Sequence, residues 1–289
     1  MSITLIDAPE AARLAKGGAH KFGHGHALVL SGGAGRSGAA RLAARAALRV
    51  GAGLVTLGAP GSAQMEIATQ ITALMLRRID DGVALDTVLK DRRLNALCLG
   101  PGLGLDRARD LVPAALAETA RRPTVLDADA LTAFAEAPET LFSMLHPDCV
   151  LTPHGGEFAR LFPDLAAPLS DTPVQGPAWS RADATRAAAA RAGCVVLFKG
   201  PDTVIAAPDG RCWLHAASYA SAAPWLATAG AGDVLSGLIA GLLARGFAPE
   251  DAAWSGAWLH AAAARRFGPG LIAEDLPEAL PGVFRDLGL

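Results

Sequence analysis

Two glycines and an aspartate stand at the start of a strongly apolar segment in the last quarter of the chain. The sequence reads Gly230-Ala231-Gly232-Asp233 and continues into residues 234–245, whose composition predicts a buried helix. Backbone N–H groups at a helix start lack intrahelical acceptors, and glycines let them converge on one anion. Such a turn could stabilise a phosphoryl group in transfer. Asp233 would accept the proton of the attacking hydroxyl, so the motif predicts phosphoryl transfer.

Asp233 alone is explained equally well as a first-turn acid that stabilises a helix dipole without any ligand. The functional interpretation is favoured because several predicted strand ends carry glycine, charge or both. Simple turns would not need this density of acids, a histidine and a lysine. The strand ends read Gly32-Gly33-Ala34-Gly35, Gly100-Pro101-Gly102-Leu103-Gly104, Asp127-Ala128-Asp129, Thr152-Pro153-His154-Gly155-Gly156-Glu157 and Lys199-Gly200.

The elements that must position these residues are short β-rich runs alternating with alanine-rich helical stretches. Strands are predicted at residues 27–31, 54–57, 96–100, 124–127, 149–152, 195–198 and 203–206, and helices at 37–50, 107–121 and 181–192. After Gly230 two or three helices finish the chain. Apolar strands separated by helices predict an α/β fold with a central, mainly parallel sheet covered on both faces. Ligands bind such sheets at the carboxyl ends of the strands, where the motifs lie.

The bulk composition narrows the class of protein. We expect one domain over residues 1–289, with the proline-rich residues 163–180 as a surface excursion. The net charge of −2 gives no footprint for nucleic acid, and no apolar stretch is long enough to span a membrane. The first 16 residues do not resemble a signal peptide. Four widely spaced cysteines predict reduced core thiols, so a cytoplasmic location is expected.

A glycine motif after the first predicted strand suggests a different enzyme class. Gly33-Ala34-Gly35-Arg36-Ser37-Gly38 matches the G-x-G-x-x-G fingerprint of dinucleotide-binding folds. That fingerprint also needs an acidic residue about 20 positions later to bind the ribose. No Asp or Glu occurs between Gly38 and Met65. A hydride-transfer enzyme is therefore disfavoured, although the glycines would still let backbone approach a bulky ligand.

The Gly230–Asp233 motif resembles the G-x-G-D signature of the ribokinase-like superfamily. Within it the chain resembles the ADP- or ATP-dependent NAD(P)H-hydrate dehydratases, over about residues 21–287. Several blocks in the same order carry this resemblance: Gly38-Ala39-Ala40 with residues 46–56, Gly100 to Gly104, Leu126 to Leu131, Leu151-Thr152-Pro153-His154, Lys199-Gly200 with Thr203, and Leu226 to Gly230. The resemblance implies a lyase of metabolite repair, which dehydrates the S-epimer of hydrated NADH or NADPH (NADHX, NADPHX).

The resemblance also implies roles for individual residues. Asp233 would be the catalytic base, and it would contact the dinucleotide substrate together with Ala39, Gly104 and His154. Lys199 could instead be a lysine whose ammonium simply reaches solvent from a buried strand end. The nucleotide would be bound by Lys199, Gly200, Pro201, Asp202, Thr203, Gly230, Ala231 and Gly232.

Mg²⁺ and ADP or ATP are the implied cofactors, with ADP preferred to ATP. Glu157 matches an acid that orients magnesium through water, and Asp127 and Asp129 could join the metal network. Glu157 is also explained as a helix-start acid. Asp129 is alternatively interpreted as the N-cap of a helix beginning at Ala130.

Three departures from the family pattern concern loops. Gly155 stands where the family usually has proline, and Ser221-Ala222-Ala223-Pro224-Trp225 replaces a glycine-rich turn before the Leu226 block. Residues 163–180 are longer and more irregular than is usual. None of these departures changes Asp233.

Two rival functions would use the same fold. A ribokinase-like kinase of a vitamin precursor would leave a stable phosphate ester, and a nucleotide sensor would not need Asp233, Gly232 and Lys199 together. The resemblance further implies a homo-oligomer, typically a tetramer. Because the match begins close to residue 1, we expect that any epimerase acting in the same pathway is a separate protein.

Overall fold

Ten strands form one sheet in the computed structural model of the chain, which describes residues 2–18, 20–170, 178–216 and 222–289. The strands are β1 (Thr4–Leu5), β2 (His26–Leu30), β3 (Leu54–Ala59), β4 (Met75–Arg78), β5 (Ala96–Leu99), β6 (Thr124–Leu126), β7 (Cys149–Leu151), β8 (Val195–Phe198), β9 (Asp202–Ala206) and β10 (Cys212–Ala216). The sheet order is β1-β10-β9-β8-β7-β6-β5-β2-β3-β4. β2 to β8 pair in parallel, whereas β9 runs antiparallel to both β8 and β10.

Helices cover both faces of this sheet. They are α1 (Ala11–Leu14), α2 (Gly38–Arg49), α3 (Gln64–Ala68), α4 (Gly82–Leu89), α5 (Leu105–Leu116), α6 (Asp129–Thr132), α7 (Pro138–Phe142), α8 (Gly155–Leu161), α9 (Pro163–Ala166), α10 (Arg181–Ala192), α11 (Ala231–Ala244), α12 (Pro249–Phe267) and α13 (Asp275–Asp286). Alternate strand residues face opposite layers: in β2, Ala27 and Val29 belong to a buried cluster that includes residues of α2, α11 and α12, whereas Leu28 and Leu30 belong to a second cluster that includes residues of α4, α5 and α10. This two-sided core confirms the predicted α/β class.

The seven predicted strands are all present, with ends that match or are shifted by at most two residues. Three helices follow Gly230, as expected. The sequence did not predict β1, β4 or β10, nor the reversed direction of β9. All four cysteines are free and buried, as expected. In the proline-rich excursion, residues 163–170 form α9 and a short 3₁₀ helix, and residues 178–180 lead into α10. Residues 171–177 of the excursion and Ser221 of the substituted turn lie outside the described residues.

Close packing between α11 and α2 fixes the helix that begins at the Gly230 motif. A Cβ added at Gly237 would lie 2.1 Å from the Ala43 carbonyl oxygen, and one at Gly241 would lie 2.6 Å from that of Ala47. The two backbones therefore touch, and only glycine fits at these positions of α11. In the described part of the chain, no helix has the length and apolar character needed to cross a membrane.

Candidate active site

The start of α11 is an uncapped helix N-terminus next to a carboxylate. Gly230 is the N-cap with φ of 86°, a backbone conformation that favours glycine, and no side chain caps the helix. The hydrogen bond from Val234 N–H to the Gly230 carbonyl is the first of the helix. The N–H groups of Gly232 and Asp233 thus find no acceptor among the described residues, and they are available to an anion.

Lys199 lies in front of this helix and pairs with Asp127. Its Nζ is 2.6 Å from Asp127 Oδ1, and a Cβ at Gly232 would lie 3.5 Å from the same Nζ. The side chains of Lys199 and Asp127 are 18% and 1% exposed, so the ion pair is buried. Burial alone would lower the pKa of Lys199, but the charges of Asp127 and Glu157 outweigh it and raise that pKa. Lys199 is therefore a fixed cation rather than one whose ammonium reaches solvent.

Ser236, which the sequence did not single out, donates the second side-chain hydrogen bond to the Asp127 carboxylate. It lies one turn after Asp233 in α11, and its hydroxyl donates to Asp127 Oδ2 at 2.6 Å. Both Asp127 oxygens thus accept hydrogen bonds from protein groups. The i, i+3 spacing of Asp233 and Ser236 was a usable signal, because residues at this spacing share one face of a helix.

His154 and Glu157 form the N-terminal cap of α8. His154 Nδ1 accepts from Gly156 N–H at 2.9 Å, and Glu157 Oε2 accepts from His154 N–H at 2.8 Å. The buried Glu157 carboxylate also lies 3.8 Å from Lys199 Nζ and 3.4 Å from His154 Nε2. Burial raises the pKa of Glu157 despite the nearby lysine. The helix-start interpretation of Glu157 is therefore confirmed, and the same residue also faces Lys199.

Asp233 is half-buried among other acids, which changes its protonation. Burial raises the pKa of Asp233 to about 6, and the charge of Asp127 adds to this effect while Lys199 opposes it. Asp129 and Glu157 also raise it. A carboxylate with a pKa close to neutral is a better proton acceptor than an ordinary one and is still mostly ionised at pH 7. This is the electrostatic environment that a catalytic base requires.

A cavity of about 510 Å³ opens on the Lys199 side of the helix start. Six of the eight predicted nucleotide-binding residues are found in its wall, whereas Asp202 and Gly230 are not. The wall includes Lys199, Gly200, Pro201, Thr203, Ala231 and Gly232, together with Pro224, Leu226, Leu235 and His260. The structure therefore brings residues from the β8–β9 turn and from α11 around one space.

Two residues missed by the sequence analysis hold this wall in place. His260 of α12 donates from Nε2 to the Ala231 carbonyl at 2.8 Å, and burial lowers its pKa to about 4, so it stays neutral. Arg181 of α10 donates to the Lys199 carbonyl at 3.0 Å, and its guanidinium lies 3.6 Å from the ring centroid of Phe198. Both contacts join residues distant in sequence, and no local motif announces them.

Gly104 and Ala39, two further predicted substrate contacts, belong to a region that is connected to Asp129. Gly104 precedes α5, and its N–H donates to Asp129 Oδ2 at 2.8 Å. Ala39, at the start of α2, faces the same loop: a Cβ at Gly102 would lie 3.2 Å from Ala39 Cβ. The prediction that Asp129 is a helix N-cap is wrong, because Ala128 occupies that position and Asp129 is the first residue of α6. Its carboxylate binds the Gly104 loop instead.

The donor set fits a magnesium ion bound through water and phosphate. In the described ranges no three His, Cys, Asp or Glu side chains converge as direct ligands. Asp127 already accepts from Lys199 and Ser236, and Glu157 accepts from the His154 backbone. Mg²⁺ keeps several waters and is commonly held through one or two carboxylates plus substrate phosphates, so acids that contact the ion only through water are sufficient. The assignments of Glu157 and Asp127 to a metal stay predictions.

Comparison with known proteins places the chain in one family. The family model described as NAD(P)H-hydrate dehydratase matches residues 27–280. An ADP-dependent (S)-NAD(P)H-hydrate dehydratase from Xanthomonas campestris is 34% identical over 92% of this chain and 90% of its own length. A bifunctional NAD(P)H-hydrate repair enzyme from Moorella thermoacetica is 39% identical over 93% of this chain. This chain spans about half the length of that bifunctional relative.

Solved structures agree with this placement. A Bacillus subtilis ADP/ATP-dependent NAD(P)H-hydrate dehydratase, co-crystallised with ATP and Mg²⁺, superposes with a TM-score of 0.75 at 29% identity. The match covers 94% of this chain and 93% of the B. subtilis chain. A ribokinase-like protein from Enterococcus faecalis reaches a TM-score of 0.77 at 21% identity over 99% of this chain and 96% of its own, which supports the fold alone. The chain therefore has the ribokinase-like fold and belongs to the NAD(P)H-hydrate dehydratase family.

Proposed function

We propose that this chain uses ADP, or ATP, to dehydrate the S-epimer of hydrated NADH and NADPH. The observation that carries the proposal is the uncapped start of α11, where the N–H groups of Gly232 and Asp233 find no acceptor among the described residues and Gly232 lines the Lys199 cavity. The names of the Xanthomonas and B. subtilis relatives supply the substrate class and the nucleotides. We infer ADP as the preferred donor because the Xanthomonas relative is ADP-dependent.

In the proposed reaction the nucleotide and the hydrated dinucleotide bind on different sides of Asp233. The nucleotide lies in the cavity beside Lys199, with its terminal phosphate at the N–H groups of Gly232 and Asp233. The hydrated ring presents its hydroxyl to the Asp233 carboxylate, which accepts the proton as the oxygen attacks phosphorus. The bond between this phosphorus and the bridging oxygen of the donor breaks, leaving AMP from ADP. The neighbouring ring carbon then loses a proton as its C–O bond to phosphate breaks, which restores the double bond and releases inorganic phosphate. The hydrate thus loses the elements of water, and its hydroxyl oxygen leaves in the phosphate.

The chain's own residues supply positioning and charge for this sequence. Lys199, held by Asp127 and Ser236, keeps a cation at the donor phosphates. Glu157 would hold Mg²⁺ through water, and the ion would neutralise phosphate charge. Ala39, Gly104 and His154 hold the dinucleotide. As further parts of the proposal, the protein works in the cytoplasm as a homo-oligomer.

An assay of NADH recovery tests this function. Purified protein with Mg²⁺, ADP or ATP, and hydrated NADH should restore absorbance at the NADH wavelength, and should release phosphate together with AMP or ADP. Asp233→Asn should lower the rate by a factor on the order of 10²–10⁴ while the protein still binds nucleotide.

The control is a parallel reaction with a thiazole or pyrimidine alcohol in place of the hydrate. A stable phosphate ester from that alcohol, with no NADH recovered from the hydrate, would show a vitamin-precursor kinase instead. Nucleotide binding without either product would indicate a sensor.

A further inference from the structure

Arg36 is a cation on the substrate side of the site that the family motifs do not explain. It lies in the loop between β2 and α2, within the glycine motif that first suggested a dinucleotide-binding fold. A Cβ added at Gly104 would lie 3.4 Å from Arg36 Nη1, so the guanidinium lies against Gly104. Gly104 is in turn bound to Asp129, whose charge acts on Asp233. Arg36 therefore lies beside a loop that is bound by Asp129, one of the acids whose charge acts on Asp233.

The backbone around Arg36 is fixed, while its guanidinium is free to bind a ligand. Glu66 of α3 accepts hydrogen bonds from Gly35 N–H at 2.6 Å and from the Ser37 hydroxyl. Arg36 N–H closes a turn onto the Gly33 carbonyl at 3.0 Å. The side chain of Arg36 is exposed, and within the described residues its guanidinium makes no hydrogen bond or ion pair. An anion can therefore bind it without breaking an existing contact.

The charges around Asp233 show why such a cation is needed. Four carboxylates surround the site, those of Asp127, Asp129, Glu157 and Asp233, and Lys199 is already paired with Asp127. Both ligands of the proposed reaction are anions. Lys199 and Mg²⁺ compensate the nucleotide side. On the substrate side, Arg36 is the cation that the structure places against Gly104.

We propose that Arg36 binds a phosphate group of the hydrated dinucleotide and so determines substrate affinity. This inference rests on the proposed function, because it takes the dinucleotide as the ligand at Gly104. A guanidinium binds phosphate through two parallel N–H groups and stays charged at any physiological pH. The phosphate has two possible sources, the bridging diphosphate of both dinucleotides or the 2′-phosphate that only NADPH carries.

Steady-state kinetics with hydrated NADH and hydrated NADPH, each at saturating ADP and Mg²⁺, test the role of Arg36. In Arg36→Gln the KM for the hydrate should rise about tenfold or more, because a charged hydrogen-bonded contact is lost. The kcat and the KM for ADP should stay as in the wild type. Arg36→Lys should recover part of the affinity. Arg92→Gln is the matched control, because Arg92 is exposed and is unpaired in the described residues. Arg92 precedes β5, so it lies toward the amino ends of the parallel strands, whereas Arg36 follows β2 at their carboxyl ends.

The two substrates distinguish the two phosphate sources. An equal rise in KM for both hydrates assigns Arg36 to the bridging diphosphate, and a rise for hydrated NADPH alone assigns it to the 2′-phosphate. An active wild type whose Arg36→Gln variant keeps both KM values overturns the assignment of Arg36 and leaves the proposed function intact. The same rise in Arg92→Gln would also overturn it, by showing a general charge effect. A wild type that restores no NADH overturns the function itself, and this inference with it.

Discussion

Lys199 Nζ lies 2.6 Å from Asp127 Oδ1, although the two residues are 72 positions apart in the chain. The contact joins the carboxyl ends of β8 and β6 across the intervening strand β7. Because Ser236 of α11 donates to the other Asp127 oxygen, the same carboxylate also connects to the helix that carries Asp233. Asp127 thus connects the β8–β9 turn, which begins at Lys199, to α11.

Removal of the lysine charge should destabilise the fold as well as the nucleotide complex. Lys199→Met leaves Asp127 buried without its counter-ion, which we expect to lower the free energy of unfolding by about 3–5 kcal/mol. Urea unfolding measures this loss. The double variant Lys199→Met with Asp127→Asn should recover much of it, because no unpaired charge remains. Equal stability of the single and double variants would contradict the buried ion pair.

The Ser236 hydroxyl should contribute stability that another buried serine does not. Ser236→Ala removes a donor to the Asp127 carboxylate, and we expect a loss of about 1.5–3 kcal/mol together with a lower kcat. Ser255→Ala is the control: Ser255 is also buried in a C-terminal helix, but its hydroxyl has no partner among the described residues. Thermal unfolding of the two variants should therefore diverge. Identical unfolding would mean that the contact with Asp127 adds nothing.

The enzymatic activity should fall at acidic pH, because the proposed base Asp233 becomes protonated. Burial and the charge of Asp127 raise the pKa of Asp233 to about 6, so below that pH the carboxyl is protonated and cannot accept a proton. We expect kcat/KM to fall about tenfold per pH unit below about 6 and to level off above it. Measurement of the initial rate between pH 5 and pH 8 gives this profile. A profile that stays flat down to pH 5 would mean that Asp233 titrates as an ordinary carboxyl.

A single methyl group should separate α11 from α2. In Gly237→Ala the added Cβ would meet the Ala43 carbonyl oxygen at 2.1 Å, so backbone must shift. We expect a loss of at least about 3 kcal/mol, or failure to fold, because an overpacked core costs 1–3 kcal/mol even without a backbone clash. Gly155→Ala is the control, since nothing lies within 4 Å of its added Cβ. Soluble yield and thermal unfolding of both variants test this difference.

The fold was predictable for elements whose own residues form an apolar pattern that becomes buried. The seven predicted strands are largely apolar runs, and most of them end beside glycine or charge, so local composition was sufficient. β4 was missed because this edge strand, Met75–Arg78, is mostly exposed and ends in two arginines. β1 has two exposed residues and is defined only by its pairing with β10. The reversed direction of β9 depends on a three-residue turn after Phe198, which composition does not specify.

Individual site residues could be predicted from the local sequence, whereas contacts between residues distant in the chain could not. Asp233 and Lys199 were found because charge at a strand or helix end is conspicuous in an alanine-rich chain. Their arrangement was not, because it depends on Asp127 and Ser236 meeting across the sheet. The N-cap prediction for Asp129 was wrong by one residue, since the helix begins at Asp129 and its side chain binds the neighbouring Gly104 loop. His260 and Arg181 belong to helices whose sequences carry no sign of a ligand.

The antiparallel pairing of β9 with β8 makes residues 199–201 a hairpin turn. Lys199, Gly200 and Pro201 are held at both ends by strand pairs, with Phe198 opposite Val204. The loops that follow β2 to β7, in contrast, lead into helices. A change in the length of the β8–β9 turn therefore need not move a helical layer, as long as Lys199 keeps its pair with Asp127. Under the proposed function, exchange of this turn between relatives is a direct way to alter donor preference.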